Sequence, residues 1–380
     1  MAFGLYIHVP YCTVRCGYCD FNTYVLGSDD ALPAYHEALE KELELATAQL
    51  EATGGMPADG VSTIFVGGGT PSVLGGQGLA RILDAVSHTM KIAPGAEVTT
   101  EANPESTSPE FFSTIRSAGF TRVSLGMQSA SPHVLRVLER QHSPQRALDA
   151  AREAIDAGFE HVNLDLIYAT PGETDDDLRR SVKLALSTGI DHLSAYSLIV
   201  EEGTALNRKV QHGELPMPSE EIMADRYEII SHMAEEAGLS WYEVSNFAKP
   251  GGECLHNMGY WRSEPWWGAG PGAHSFVGKH RWMNEKLPAR YAERLGRGEL
   301  PVRSEETLTD EDRYVEEVML RLRLSEGIRR AAVHDNGQVQ IDRYIAAGLL
   351  EESGGQVRVT REGRLHADGI AADILFLGLE

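Results

Sequence analysis

Leu5-Tyr6-Ile7-His8-Val9-Pro10-Tyr11-Cys12-Thr13-Val14-Arg15-Cys16-Gly17-Tyr18-Cys19 is the stretch that decides the fold. Residues 5–9 read as a short apolar strand, which Pro10 closes before a loop carrying three of the chain's four cysteines. Cys12, Cys16 and Cys19 are separated by three and two residues. A short loop with that spacing wraps one face of an iron–sulfur cube and reaches three irons of a [4Fe–4S] cluster, leaving the fourth without a protein ligand. A structural zinc site is the competing use of such thiols. It wants four closed ligands, so Cys254 or a His would have to complete it. Three merely buried free thiols are the plainest alternative. Four cysteines in 380 residues are too few for a disulfide framework.

Outward from that loop, short apolar strands alternate with helical stretches. Strands are expected at residues 5–9, 63–66, 97–101, 122–125, 161–166 and 192–198, with helices at 32–50, 77–90, 144–157 and 175–187. Ser108-Pro109 and Ser143-Pro144 carry the cap-then-proline signature of helix starts. Six such units predict an α/β fold, a partial (β/α)6 barrel in residues 1–240, with chemistry at the carboxyl ends of the strands. The segments after the strands are accordingly expected to face one site: Gly67-Gly68-Gly69-Thr70-Pro71, Glu101-Ala102-Asn103-Pro104, Gly126-Met127-Gln128 and Tyr168-Ala169-Thr170-Pro171-Gly172. A helix at 221–237 leads into an aromatic and His-rich connecting segment, 241–300. Residues 301–380 read as helix, helix, then a Gly-flanked strand, a smaller α+β module of winged-helix type.

An open iron corner suits S-adenosylmethionine, whose amino and carboxylate groups chelate accessible iron. An electron from the cluster then cleaves its sulfonium. The Gly67–Thr70 turn fits the same ligand, because glycines let backbone come close and leave carbonyls free for an ammonium. Taken alone it is only a Gly-rich turn. Glu101, Gln128, Arg140 and Asp165 stand at or just past later strand ends, where polar groups can take ribose, adenine and the methionyl carboxylate. The alternative for each is a loop-fixing hydrogen bond. Radical chemistry also needs water and oxygen excluded, and the C-terminal module is the expected lid.

Composition narrows the partners. The net charge of −22 argues against nucleic acid binding through a basic surface and against a polybasic lipid anchor. The start has no basic n-region, and no run approaches the ~18 apolar residues of a membrane span, so a cytoplasmic protein is expected.

Tyr6-Ile7-His8-Val9-Pro10-Tyr11-Cys12, Gly67-Gly68-Gly69-Thr70-Pro71-Ser72 and Asp165-Leu166-Ile167-Tyr168 together resemble the radical SAM family of the oxygen-independent coproporphyrinogen III dehydrogenases. Within it, His256-Asn257-Met258-Gly259-Tyr260-Trp261 resembles the His-Asn-x-x-Tyr-Trp signature of the HemW branch, the heme chaperones. Two departures separate the branches. Phe21 stands where the dehydrogenases have a fourth cysteine, and only Met1 to Gly4 precede the first strand where they carry an N-terminal arm. Both match the chaperones, leaving oxidative decarboxylation of coproporphyrinogen III as the alternative activity.

The resemblance implies that Tyr6, Gly68, Gly69, Thr70, Glu101, Gln128, Arg140 and Asp165 serve S-adenosylmethionine. It also implies that the partners are heme and heme-accepting respiratory-chain proteins, met transiently at the inner face of the membrane. A homodimer is compatible with it. Heme itself wants an axial nitrogen or sulfur ligand and a flat apolar slot. The stretch from Cys254 to His274 offers Cys254, His256, Tyr260, Trp261, Trp266, Trp267 and His274. His256 is the expected ligand, ahead of Cys254 and His274. Such aromatic clusters otherwise form core, and a His-Asn pair otherwise ties down a loop.

Overall fold

A computed structural model describes residues 2–27 and 31–377 of the chain. Six parallel strands pair in chain order: β1 (Gly4–Val9), β2 (Val61–Gly68), β3 (Ile92–Ala102), β4 (Arg122–Gln128), β5 (His161–Tyr168) and β6 (His192–Ser197). Each lies where the apolar runs predicted one. The connecting helices are α1 (Ala31–Thr53), α2 (Gly75–Thr89), α3 (Pro109–Ala118), α4 (Pro132–Val137), α5 (Pro144–Asp156) and α6 (Asp175–Leu186). Their starts are set locally. Ser108 accepts from the Phe111 amide and Ser143 from the Arg146 amide, each with proline in the first turn. Thr174 and Asp177 form a reciprocal capping box at α6.

The strands that extend the main sheet beyond β6 were not legible in the sequence. After α7 (Ala205–Gln211) and α8 (Glu220–Glu236) come β7 (Ser240–Glu243) and β8 (Asn246–Ala248), which extend the sheet past β6. The chain then crosses, through α9 (Leu255–Trp261), to the opposite edge. There β9 (Trp266–Ala269) pairs parallel to β1 and is followed by antiparallel β10 (His274–Val277), β11 (His280–Asn284) and β12 (Val302–Thr307). The result is one twelve-stranded sheet, in which β1 and β6 are not paired with each other among the described residues. The segment 241–300 is thus built into the sheet as well as connecting it. Its strands are three to five residues long, too short for a period-two pattern to stand out.

Helix α10 (Pro288–Gly296) locks this extension to α1. The carboxylate of Glu42, fully buried, accepts from the Gly270 amide, the Asn284 amide nitrogen and the Tyr291 hydroxyl. Burial pushes Glu42 up to about 7 despite those donors.

The C-terminal module holds α11 (Asp310–Arg321), α12 (Asp335–Ala346), α13 (Ala367–Phe376) and a small antiparallel sheet of β13 (Ile328–Arg329), β14 (Leu350–Ser353) and β15 (Gln356–Val359). Helices followed by a β-hairpin match the α+β reading. Its apolar residues, among them Val318, Ile341 and Ile374, continue the main core. Arg361 pairs with Glu228 and Glu235 of α8, Arg364 lies 4.3 Å over the Trp241 ring, and Arg262 pairs with Glu326. These contacts seat the module beside α8, β7 and α9.

Candidate functional site

The loop after β1 is held as a separate small structure. Tyr11–Cys12 pairs parallel with Tyr24–Val25, and the Tyr24 amide donates to the Pro10 carbonyl at 2.7 Å. Asn22 braces it from below, donating to the carbonyls of Pro271 and Lys286 at 3.0 Å each. The three thiols therefore sit on a tethered loop, Cys12 buried, Cys16 and Cys19 partly exposed. All three line one cavity of about 490 Å³ at the carboxyl ends of the strands.

The Gly67–Thr70 turn forms the wall facing the cysteines. Its Gly69 and Thr70 amides donate to the Val9 and Tyr11 carbonyls, both at 2.8 Å, stitching β2 to the start of the loop. Gly68 has φ +110, and a Cβ there would come within 2.5 Å of the His8 ring. A Cβ on Gly69 would meet the Tyr11 carbonyl oxygen at 2.6 Å. Only glycine lets these backbones close. Thr70 donates its hydroxyl to Cys12 Sγ at 3.5 Å, and Arg140 Nη1 lies 3.3 Å from Cys16 Sγ. Burial pushes the Cys12 and Cys19 thiols up. Arg140 is held in place by Asn103 Oδ1 at 2.7 Å and the Gly126 carbonyl at 3.3 Å.

Carboxyls line the inner wall of the cavity. Glu101 Oε2 accepts from the Gly68 amide at 3.0 Å; burial, then the neighbouring Asp165, pushes its pKa up to about 8. Asp165 is also raised by burial, although Ser124 and Asn163 donate to it at 2.9 and 2.7 Å. Gln128 enters through a register shift at the end of β4 and takes φ +63, a bulge that re-aims its side chain into the site.

Cys12, Cys16, Cys19, Gly68, Gly69, Thr70, Glu101, Gln128, Arg140 and Asp165 thus share one cavity, as the strand-end pattern predicted. Tyr6 does not line it. Its hydroxyl lies 3.0 Å from His8 Nδ1, and its ring faces a second chamber of about 180 Å³ inside the barrel, which shares Glu101, Ser124, Asp165 and Tyr196 with the first. The 168–172 loop is also absent from the lining. Beside it Glu173 turns inward to pair with Arg226, while residues 196–201 reach the mouth instead. Among the described residues none beyond Glu201 lines the cavity, so the expected C-terminal lid is not over it. Arg361 of that module pairs instead with Glu228 and Glu235 of α8. Asn103 lies in the Glu101–Pro104 segment expected at the site, whereas Ser124 and Tyr196 were not singled out from sequence. Only the inward parity of Ser124 and Tyr196 on their strands marks them.

His256 lies at the opposite end of the barrel interior, 3% exposed. Nδ1 is 2.8 Å from the Thr63 hydroxyl, Nε2 is 2.9 Å from the Tyr260 hydroxyl, and the ring stacks on Phe65. Burial lowers its pKa to about 3. Ligation of iron there requires one of those hydrogen bonds to break, a constraint that the sequence did not reveal.

No group of three or more His, Cys, Asp or Glu among the described residues converges on a point as ligands of a single metal ion do. Three thiols on one short loop, lining one cavity, suit the three separate iron corners of a cube. The glycine wall, the Arg140–Asn103 pair and the buried carboxyls supply carbonyl, cationic and acidic partners for a ligand bearing an ammonium, a carboxylate and hydroxyls. The buried Arg140 Nε has no acceptor of its own among the described residues. The residues present therefore fit both a cluster and S-adenosylmethionine.

Comparison with known proteins agrees with this geometry. Residues 6–185 match the model of the radical SAM superfamily, and residues 308–366 match that of the HemN C-terminal domain. The chain is 52% identical over 375 residues to the heme chaperone HemW of Mycobacterium tuberculosis (strain H37Rv), covering 98% of this chain and 95% of that protein. It is 34% identical to the heme chaperone HemW of Bacillus subtilis (strain 168), covering 95% of this chain and 96% of that one. The solved structure of Escherichia coli coproporphyrinogen III oxidase (HemN), a radical SAM enzyme, superposes with a TM-score of 0.84 over 99% of this chain and 90% of that one, at 21% identity. That likeness speaks for the fold. With near-full-length identity of this order, the chain belongs to the HemW family of radical SAM proteins.

Proposed function

We propose that this protein is a heme chaperone that binds heme and passes it to respiratory-chain hemoproteins at the membrane. Cys12, Cys16 and Cys19 hold a [4Fe–4S] cluster beside bound S-adenosylmethionine. The observation that carries it is the meeting of three thiols with a glycine wall on a 490 Å³ cavity, in a chain whose relatives over nearly full length are heme chaperones. Gly68, Gly69 and Thr70 receive the methionyl end, Arg140, held by Asn103, stands beside the Cys16 sulfur, and Glu101, Gln128 and Asp165 take ribose and adenine. Tyr6 acts from behind, through His8 and the Gly68 backbone. When bound, cluster and sulfonium supply one-electron chemistry; the chain's own contribution is to hold them dry and oriented. No helix among the described residues is long and apolar enough to cross a membrane. With a net charge of −22, delivery fits docking on an acceptor protein better than adhesion to anionic lipid.

Anaerobic reconstitution with iron and sulfide, followed by electron paramagnetic resonance, tests the cofactors. Wild type is expected to bind ~4 irons, to change its reduced-cluster spectrum on adding S-adenosylmethionine, and to lose the signal in C12S, C16S or C19S. A spectrum indifferent to S-adenosylmethionine would remove that ligand. Saturable hemin binding with no conversion of coproporphyrinogen supports the chaperone; turnover would make it a dehydrogenase instead.

A further inference from the structure

A shallow groove of about 350 Å³ runs beside the cysteine cavity, and Phe21 and Gly68 line both. Its other walls include Tyr260, Trp266, His274 and Lys286. The Trp266 indole is fixed: Nε1 donates to the His274 carbonyl at 2.8 Å, and Tyr260 packs edge-on at 4.7 Å. Phe21 projects its ring outward, 58% exposed. Flat aromatic surface, partly open to solvent, is what one edge of a porphyrin can slide against.

Three imidazoles lie in this region, and they are not equivalent. His8 is tied to the Tyr6 hydroxyl at 3.0 Å and to the Asn22 carbonyl at 2.9 Å. His256 is tied at both nitrogens behind the Tyr260 ring. The exposed ring of His274 makes no hydrogen bond or ion pair among the described residues, and it faces the groove. Lys286 has no carboxylate partner among the described residues, in a chain with a net charge of −22. A cation left free against an apolar wall complements a ligand that is flat, apolar and edged with carboxylates.

We infer that heme binds in this groove, edge-on against Phe21 and Trp266, with His274 as the axial ligand of its iron and Lys286 pairing with a propionate. The inference rests on the chaperone reading and moves ligation away from the buried His256. It also sets the cargo wall to wall with the cluster cavity, through Phe21 and Gly68.

Hemin titration of the purified full-length chain tests it, following the Soret band, the Kd and the low-temperature electron paramagnetic resonance of the bound iron. His274→Ala is expected to shift the Soret band and raise Kd by about tenfold or more, with added imidazole restoring the wild-type spectrum. Lys286→Glu is expected to weaken binding several-fold while leaving the Soret position unchanged. His256→Gln, which keeps a hydrogen-bonding side chain in the interior, is expected to retain the wild-type spectrum. Circular dichroism verifies that each variant is folded. Saturable wild-type binding together with an unchanged His274→Ala spectrum overturns the ligand assignment alone. So does loss of the ligand signature in a folded His256→Gln. Absence of saturable binding by wild type removes the chaperone reading, and this inference with it.

Discussion

Glu97, midway along β3, and Arg122, at the start of β4, form a buried pair, 6% and 2% exposed, with Nε to Oε2 at 3.0 Å. The pair does more than neutralise itself. Glu97 accepts from the Leu255 and His256 amides at 3.1 and 3.0 Å, closing the first turn of α9, while Arg122 Nη2 donates to the Gly252 and Glu253 carbonyls at 2.9 Å each. Glu97→Gln keeps an oxygen for the amides but leaves a guanidinium uncompensated in the interior, which costs about 3–5 kcal/mol. Arg122→Met leaves the opposite charge stranded, at a similar cost. The double variant removes both charges and should lose only the donors to Gly252 and Glu253, about 1–3 kcal/mol. The two single losses should therefore exceed the double by at least about 3 kcal/mol, the mark of directly coupled residues. Urea unfolding of the four proteins measures the cycle, and hydrogen exchange at the Leu255 and His256 amides should report α9 opening first in Glu97→Gln. If the singles stay within about 1 kcal/mol of wild type, or if their losses simply add, the clamp does not hold α9 as described.

Two further expectations follow from the cofactor cavity. Glu101 has its pKa raised from 4.5 to about 8 in the folded chain, so between those values the folded state binds the proton that the unfolded state has released. Apo-protein stability should fall as pH rises through that window, and Glu101→Gln should flatten the slope by up to about 1.4 kcal/mol per pH unit; denaturant midpoints at pH 5, 6.5 and 8 check it, and an unaltered slope would count against the burial of this carboxyl. Gly68→Ala puts a methyl 2.5 Å from the His8 ring at φ +110, a strain of about 1–2 kcal/mol before His8 moves. A lower Tm and weaker S-adenosylmethionine binding by reconstituted protein are expected, and wild-type affinity would refute the close packing of that turn.

The cysteine loop, the six parallel strands and most of the cavity's lining were legible in the amino-acid order alone. Those features are local. A thiol spacing, a glycine run and an apolar strand each act within about ten residues, so their chemistry can be read in chain order. Gln128 was legible as a strand-end polar residue, although the bulge that turns it inward was not. Tertiary structure decided the rest, because it depends on which distant segments meet. The strand Trp266–Ala269 lies against Gly4–Ile7, and no periodicity in a four-residue strand names that neighbour. His256 looked like an available ligand in its motif, yet Thr63 and Tyr260 occupy both its nitrogens once the chain folds. His274 carries the same side chain eighteen residues later and keeps its ring free. Identical imidazoles end up tied at both nitrogens or free of partners according to which distant segments pack against them, and that is a property of the packed fold.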